Sequence, residues 1–268
     1  MFTRFRQRFH RTGKRSIFAM MVCLCVVFSS SCHKSKHVLL TVSVAASLTG
    51  TIESVEHAYT QQHPEIEFRN NFGSSGSLAR QIEQGAPVDL FLSAGAKPVD
   101  ELKAKGLVDA GQYRILLRNR LVLIAPSDSK LASVSQLGSK EVNKIALGEP
   151  ASVPAGQYTM QSLQTLKLFS PLQSKFVYAK DVRQVLAYVE SGNVDAGFVY
   201  ATDALSSQKV KVIETLPEAL HDPIVYPIVV IAQSAHAAES RQFIHALFSS
   251  TDAAVLFTHK GFIVANHE

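Results

Sequence analysis

Strand-like and helix-like runs alternate through most of the sequence after Cys32, and this alternation limits the fold more than any other feature. Val38 to Ala45 is apolar and β-branched, whereas Ile52, Val55 and Tyr59 recur at the helical spacings of three and four. The same change of period returns several times further along the chain. A sequence of this kind predicts an α/β fold with mainly parallel sheets.

Two long extended runs interrupt this rhythm. No helix fits between Ile115–Leu117 and Leu121–Ala125, and Val225–Ala232 forms a second long apolar run. If the chain crosses between two lobes near residues 118 and 226, residues 38–117 and 227–268 form an outer lobe and residues 118–226 an inner lobe. We therefore predict two lobes that are joined by hinge strands and enclose a cleft.

The first 31 residues have the pattern of a secretory signal peptide. Six basic residues precede the apolar run Ile17–Phe28, which is too short for an ordinary transmembrane helix. Without these six residues the chain keeps 21 Lys plus Arg against 22 Asp plus Glu, so the formal net charge of +5 falls to −1. The basic balance of the whole sequence is therefore no argument for nucleic-acid binding.

Cys32 is the only cysteine that remains after such a leader is removed, so an intrachain disulfide is impossible. Ser29-Ser30-Ser31-Cys32 resembles a bacterial lipobox, although Ser29 stands where an apolar residue is usual. We predict lipid attachment at Cys32, with residues 32–37 as a tether and the protein attached to the membrane. Cleavage by an ordinary signal peptidase, which would release a soluble periplasmic form, stays open.

Two serine-bearing turns lie where a strand-like run gives way to a helix-like run. They are Ala45–Thr49 and Phe72–Leu78. The start of a helix presents unpaired N–H groups and the positive end of the helix dipole, and a serine hydroxyl adds a neutral donor. Either turn alone is also explained as an ordinary N-cap or loop. Together, the two turns predict one half of an anion-binding site.

Three further features fall in the middle of the chain. Glu149–Tyr158 is a loop with two prolines that enters a helix at about Ala155, Asp181 precedes the next helix, and Tyr200 ends a buried-looking strand. A proline loop, an N-cap aspartate and a packed tyrosine each have a purely structural explanation. Their occurrence after the two serine turns favours a second set of ligand contacts.

These motifs, in this order and at this spacing, closely resemble the periplasmic molybdate-binding proteins of bacterial ABC transporters (ModA) from about Val38 to Phe262. The segments that carry the resemblance are Val44–Thr49, Phe72–Ile82, Gly85–Ala94, Val153–Gly156, Asp181–Arg183 and Val199–Ala204.

The resemblance implies a type II periplasmic-binding-protein fold whose cleft holds the anion with uncharged donors. The implied molybdate-binding residues are Ser47 and Ser75 through hydroxyl and backbone N–H groups, Ala155 and Val182 through backbone N–H groups, and Tyr200 through its phenol. Ser75 is preferred to Ser74 because it aligns with the family's ligand. Gly76 is a small departure, since a further serine is often found there.

By the same resemblance, the protein is a high-affinity receptor that delivers molybdate to an inner-membrane permease with a cytoplasmic ATPase. We expect it to bind tungstate as well, to catalyse no reaction, to need no cofactor and to be a monomer. Neutral donors at fixed distances would reject the smaller sulfate by size. Phosphate carries a proton and needs an acceptor, but rotating serine hydroxyls could supply one.

Three alternatives stay open at this point. The receptor could serve another tetrahedral oxyanion, being specific for tungstate or binding sulfate. A serine hydrolase is disfavoured because the sequence lacks a Gly-x-Ser-x-Gly elbow and a Walker-type loop. A metal receptor is disfavoured because, among nine histidines after the leader, only His33 and His37 have a ligand-like spacing, and they lie in the predicted tether.

Overall fold

The computed structural model describes residues 1, 37–109, 111 and 113–265. The predicted leader, Cys32 and most of the tether lie outside the described residues. From His37 onward the chain forms one compact unit. No helix in the described part of the chain has the length and apolar character needed to cross a membrane.

Eleven strands are present among the described residues. They are β1 (Val38–Ala45), β2 (Ile66–Gly73), β3 (Leu90–Leu92), β4 (Arg114–Arg118), β5 (Leu121–Pro126), β6 (Ile145–Gly148), β7 (Phe176–Ala179), β8 (Ala196–Tyr200), β9 (Val210–Thr215), β10 (Val225–Val230) and β11 (Ile263–Val264).

The described α-helices lie between these strands and after β10. They are α1 (Thr51–Gln62), α2 (Ser75–Glu83), α3 (Ala96–Ala104), α4 (Pro154–Thr165), α5 (Phe169–Leu172), α6 (Val182–Glu190), α7 (Ala201–Leu205), α8 (Ala237–Ser249) and α9 (Thr251–His259). Helix α6 confirms the helical spacing that was identified in the sequence. Its apolar face, formed by Val182, Val185, Leu186 and Val189, is buried.

The first sheet has the strand order β11-β4-β10-β3-β1-β2. Strand β1 runs parallel to both β2 and β3, with Ala45 opposite Gly73 and Val44 opposite Leu92. These three strands therefore end at the same edge of the sheet. The loops that leave them emerge side by side, which is where α/β folds place ligand contacts.

The second sheet has the order β7-β6-β8-β5-β9. Strand β6 runs parallel to β7 and β8, with Gly148 opposite Ala179 and Ala146 opposite Gly197. The loops after β6, β7 and β8 again leave from one edge. Each sheet thus gathers the connections that the sequence marked as candidate binding segments.

The chain passes from the first sheet to the second between β4 and β5, and it returns between β9 and β10. The predicted two-lobed α/β fold is confirmed. Lobe 1 is the part built on the first sheet, and lobe 2 is the part built on the second. Lobe boundaries at residues 117/118 and 226/227 stay a prediction.

Two details differ from the sequence-based expectation. The sheets are more mixed than expected, because β4, β5, β9, β10 and β11 all pair antiparallel where the crossing strands join each sheet. Ser47 lies in a separate 3₁₀ turn, Ala46–Leu48, and α1 begins only at Thr51. The 3₁₀ turn provides the local backbone donors around Ser47.

Candidate anion-binding site

A small cavity lies where the loop edges of the two sheets meet. Its volume is about 10 Å³. The lining residues are Ala45, Ala46, Ser47, Gly73, Ser74, Ser75, Ala94, Val153, Pro154, Ala155, Asp181, Val182 and Tyr200. All five residues that the sequence analysis predicted as ligands, which are Ser47, Ser75, Ala155, Val182 and Tyr200, are therefore brought together.

Ser47 reaches the cavity because β1 ends at Ala45 and the chain turns at once into the 3₁₀ segment. Its side chain is buried, and its Oγ lies 3.1 Å from the phenol oxygen of Tyr226 on β10. The tyrosine is 179 residues away in sequence. Ser47 is thus held by a residue that no local motif connects to it.

Ser75 is the first residue of α2, directly after β2 and Ser74. Its Oγ accepts a hydrogen bond from the Ala94 N–H at 2.9 Å, so its own proton stays available to a ligand. Ser74 differs, because its hydroxyl donates to Ser77 Oγ at 2.9 Å. This difference agrees with the choice of Ser75 over Ser74.

Lobe 2 contributes the first turns of α4 and α6. Ala155 is the second residue of α4, and Val182 is the first residue of α6, so their N–H groups belong to the four that a helix leaves without an intrahelical partner. The N-cap Asp181 accepts from the Gln184 N–H at 2.8 Å. Two helix N-termini therefore present positive dipole ends to the cavity.

Gly156 explains how α4 comes so close to β6. A Cβ atom at this position would lie 1.9 Å from the Gly148 carbonyl oxygen, a distance no side chain can occupy. Glycine allows the helix start to pack on the strand end. This close approach places the Ala155 N–H at the cavity wall.

Tyr200 ends β8 and is fully buried. Its phenol donates to the Ala94 carbonyl oxygen at 3.0 Å, which joins lobe 2 to lobe 1. Burial raises the pKa of Tyr200 well above its usual value, so the phenol keeps its proton. In this arrangement the proton is directed at Ala94, and donation to an anion would require the phenol to leave the carbonyl group.

The cavity has an uncharged donor set. Among the described residues that line it, none is a lysine, arginine or histidine, and Asp181 is the one that carries a formal charge. Helix N-termini and hydroxyl groups favour an anion without any full positive charge. In the described part of the chain no group of three or more His, Cys, Asp or Glu residues is arranged to hold a metal ion.

Asp203 is a buried carboxyl group next to this donor set. It lies in the first turn of α7, accepts from the Tyr200 N–H at 3.3 Å, and is 3.7 Å from the guanidinium group of Arg183. Burial raises the pKa of Asp203 to about 7, although the nearby Arg183 lowers it in part. Its charge therefore changes near neutral pH, close to Tyr200.

Three residues that hold the predicted ligands in place were not predicted from the sequence, and they are Asn119, Tyr226 and Ala94. Asn119 was visible only as a polar residue in the break between two apolar runs, and Tyr226 only as part of the apolar run that became β10. Ala94 acts through its backbone alone. No residue-type pattern could have identified these partners, since each contact joins distant segments.

A two-lobed α/β fold with neutral donors from both lobes around one cavity is the architecture of an extracytoplasmic binding protein. The sequence of this chain matches known proteins over most of its length. The family described as bacterial extracellular solute-binding protein matches residues 40–263. The chain belongs to this family.

Individual proteins with similar sequences are also named as binding proteins. A Bacillus subtilis protein named as a candidate ABC transporter substrate-binding lipoprotein, YvgL, is 42% identical over 245 residues, which are 91% of this chain and 93% of that protein. Molybdate-binding protein ModA of Haemophilus influenzae is 38% identical over 222 residues, which are 81% of this chain and 87% of that protein.

A solved structure extends the match to the fold. The periplasmic molybdate-binding protein of Azotobacter vinelandii is 25% identical, has a TM-score of 0.76, and covers 85% of this chain and 100% of its own. The predicted resemblance to the periplasmic molybdate-binding proteins is therefore confirmed.

Proposed function

We propose that this protein captures molybdate outside the cytoplasm and delivers it to the permease and ATPase of an ABC transporter. The observation that carries the proposal is the convergence of Ser47, Ser75, Ala155, Val182 and Tyr200 on one cavity without a cationic side chain. The names of its relatives, a ModA protein and a substrate-binding lipoprotein, support the same function. The protein performs no chemistry on its ligand.

A tetrahedral dianion suits this donor set. Its four oxygens accept several hydrogen bonds, and the two serine hydroxyls, the phenol and the N–H groups at helix starts are all donors. The dipoles of α4 and α6 are fixed by packing, so they stabilise the charge with little reorganisation. Molybdenum is bound as the oxyanion, and no separate cofactor is required.

The lobes must move for the ligand to enter. A cavity of about 10 Å³ holds about one water molecule, which is less than a tetrahedral oxyanion requires. The hydrogen bond from Tyr200 to Ala94 and the contacts around the cavity close it from both sides. We infer that the lobes open about the two crossing segments, admit the anion and close on it.

The proposal also includes selection of the oxyanion by its size and export of the protein from the cytoplasm. Donors at fixed distances would accept molybdate and tungstate and would fit the smaller sulfate poorly. The receptor is exported, is anchored to the membrane by a lipid on Cys32, and works as a monomer. The lipoprotein name of the Bacillus subtilis relative supports the anchor.

The test is a calorimetric titration of the chain from Ser35 onward with molybdate, tungstate, sulfate and phosphate. The sequence contains no tryptophan, so calorimetry replaces the simplest fluorescence assay. Tight one-to-one binding of molybdate and tungstate only is the expected result. Preferred binding of sulfate or phosphate would keep the two-lobed receptor but contradict the assignment of the ligand, and no binding of any oxyanion would contradict both.

A further inference from the structure

Tyr226 is a buried tyrosine whose hydroxyl group lies against Ser47. The ring is fully buried between Tyr200 and Phe262, at centroid distances of 5.8 Å and 5.5 Å. The distance from the phenol oxygen to Ser47 Oγ is 3.1 Å, and either atom could donate by distance alone. Which one donates decides what Ser47 can offer to a ligand.

Asn119 settles the direction of this hydrogen bond. The Arg120 N–H can only donate, and it points at one side-chain atom of Asn119 at 2.8 Å, which identifies that atom as Oδ1. The other atom is therefore Nδ2, which donates to Thr202 Oγ1 at 2.9 Å and to the Tyr226 phenol oxygen at 3.2 Å. Both protons of the amide are used.

Tyr226 consequently receives a hydrogen bond from Asn119 and has its own proton left to donate. Burial raises the pKa of Tyr226 well above its usual value, so this proton stays on the phenol. Ser47 Oγ is the acceptor within reach. Ser47 then gives its proton to no protein group in this chain of bonds, and the proton is left for the cavity.

The Ser75 hydroxyl also accepts a hydrogen bond from a protein donor and keeps its own proton for the cavity, but its donor is a backbone N–H group. Its Oγ accepts from the Ala94 N–H, a backbone donor that cannot reverse. Both serine hydroxyls thus have a lone pair occupied by a fixed donor. The sequence left open that these hydroxyls rotate to accept a proton from the ligand. Turning the second lone pair to the ligand would take the hydroxyl proton away from the anion, and the described hydrogen bonds give that proton no other protein acceptor, so the structure opposes this rotation for both.

We propose that Asn119 and Tyr226 are positioning residues that orient Ser47 as a hydrogen-bond donor, so that the site prefers oxyanions without a proton to oxyanions that carry one. The proposal rests on the proposed oxyanion-binding function. A protonated oxyanion needs an acceptor for its O–H group, and a site of committed donors leaves that group without a partner. Specificity would then come from proton orientation as well as from size.

A comparison of selenate with arsenate separates selection by the proton on the ligand from selection by the size of the ligand. Both are tetrahedral and of similar size. At pH 8 selenate is a dianion without a proton, whereas arsenate is mainly the dianion that carries one proton, so the titrations are done at pH 8. Each is titrated by calorimetry into the full mature chain, and the ratio of their dissociation constants is the readout. We expect the wild type to favour selenate by about tenfold or more, the effect of one unmatched polar group.

Tyr226→Phe keeps the ring and removes the donor to Ser47. We expect it to lower the preference for selenate over arsenate by about tenfold, with the ratio of molybdate to sulfate unchanged because that ratio reports size. Tyr158→Phe is the matched control, since Tyr158 is also buried and its phenol donates to the Pro223 carbonyl oxygen at 3.4 Å, away from the cavity lining. It should keep the wild-type ratio.

Asn119→Asp is a second variant that tests the direction of the bonds. An aspartate can accept from the Arg120 N–H and from Tyr226, which turns the phenol proton away from Ser47. Its extra negative charge weakens both dianions alike, so the ratio still reports proton orientation, and we expect the ratio to fall. Thermal unfolding of each variant checks that it folds.

The outcomes separate this inference from the proposed function. An unchanged ratio of selenate to arsenate in Tyr226→Phe and Asn119→Asp, or a wild type that binds both equally, would overturn the positioning role even if molybdate binds tightly. A wild type that prefers selenate to arsenate, loses this preference in Tyr226→Phe and Asn119→Asp, and does not bind molybdate would overturn the proposed ligand and leave the positioning role supported.

Discussion

The backbone N–H of Gly76, in the first turn of α2, donates to the carbonyl oxygen of Ser152 at 3.0 Å. Gly76 belongs to lobe 1, and Ser152 belongs to the loop before α4 in lobe 2. A Cβ atom at Gly76 would lie 2.7 Å from the Ser152 oxygen and 2.9 Å from its Cα. Gly76, where the resemblance to the molybdate-binding proteins leads one to expect a serine, is thus a point where the two lobes meet backbone to backbone.

Gly76→Ala should therefore weaken molybdate binding. The added methyl group meets backbone atoms that cannot rotate away, so it opposes the closed arrangement by about 1 to 3 kcal/mol, the usual cost of overpacking. Calorimetric titration measures the affinity. Gly138→Ala is the control, because a Cβ atom there meets nothing within 4 Å. Wild-type affinity in Gly76→Ala would mean that the lobes close differently around the ligand.

Ser47→Ala and Ser75→Ala should each reduce the affinity for molybdate by about 1 to 3 kcal/mol, since each removes a buried donor and leaves an anion oxygen without its partner. Titration of the two variants under identical conditions measures the loss. Ser77→Ala is a suitable control, because Ser77 lies in the same turn but outside the cavity lining. Equal losses in all three variants would contradict the assignment of Ser47 and Ser75.

Asp203 predicts a dependence of affinity on pH. Its pKa of about 7 means that the carboxyl group is mostly neutral at pH 6 and mostly ionised at pH 8. The negative charge that forms beside Tyr200 repels an oxyanion, and Arg183 offsets it only in part. Molybdate affinity should therefore fall as pH rises from 6 to 8.

Asp203→Asn removes this titration and should give a flatter profile between pH 6 and 8. Titration of both proteins at several pH values in one buffer system measures the difference. A variant whose affinity falls as steeply as that of the wild type would show that another group controls the pH dependence.

Glu56 predicts a dependence of stability on pH. This buried residue of α1 accepts from Asn70 Nδ2 at 2.6 Å, and burial raises its pKa from 4.5 to about 7 in the folded protein. The unfolded chain therefore loses this proton at lower pH than the folded one. Glu56 contributes most to stability below pH 4.5, and the contribution is lost as pH rises to 7.

Glu56→Gln should not lose stability in this way as pH rises, because the glutamine amide does not titrate. Relative to the wild type, the variant should gain up to about 2 to 3 kcal/mol of unfolding free energy between pH 5 and pH 8. Urea denaturation at the two pH values measures the change. Glu53→Gln is the matched control on the same helix, since Glu53 caps the start of α1 at an exposed position. A constant difference between wild type and Glu56→Gln would contradict the raised pKa.

Much of the fold could be read from local sequence signals. Strand β1, the buried face of α6 and the start of α4 at Pro154 follow from β-branched runs, helical spacing and proline at a first helical position. Strand β9 was not predicted, because its charged Lys211 and Glu214 interrupt the apolar pattern and pairing with β5 stabilises it. Propensity alone does not report such pairing.

The sequence by itself determined the alternation of strands and helices and the position of Ser47, Ser75, Ala155, Val182 and Tyr200 at element ends, because period and capping act within a few residues. Only the tertiary structure decided that Tyr226 orients toward Ser47, that Asn119 bonds to Tyr226 across 107 positions, and that Gly76 meets Ser152. These contacts depend on how two sheets pack together. Packing joins residues by distance in space, and no local pattern of residue types encodes that distance.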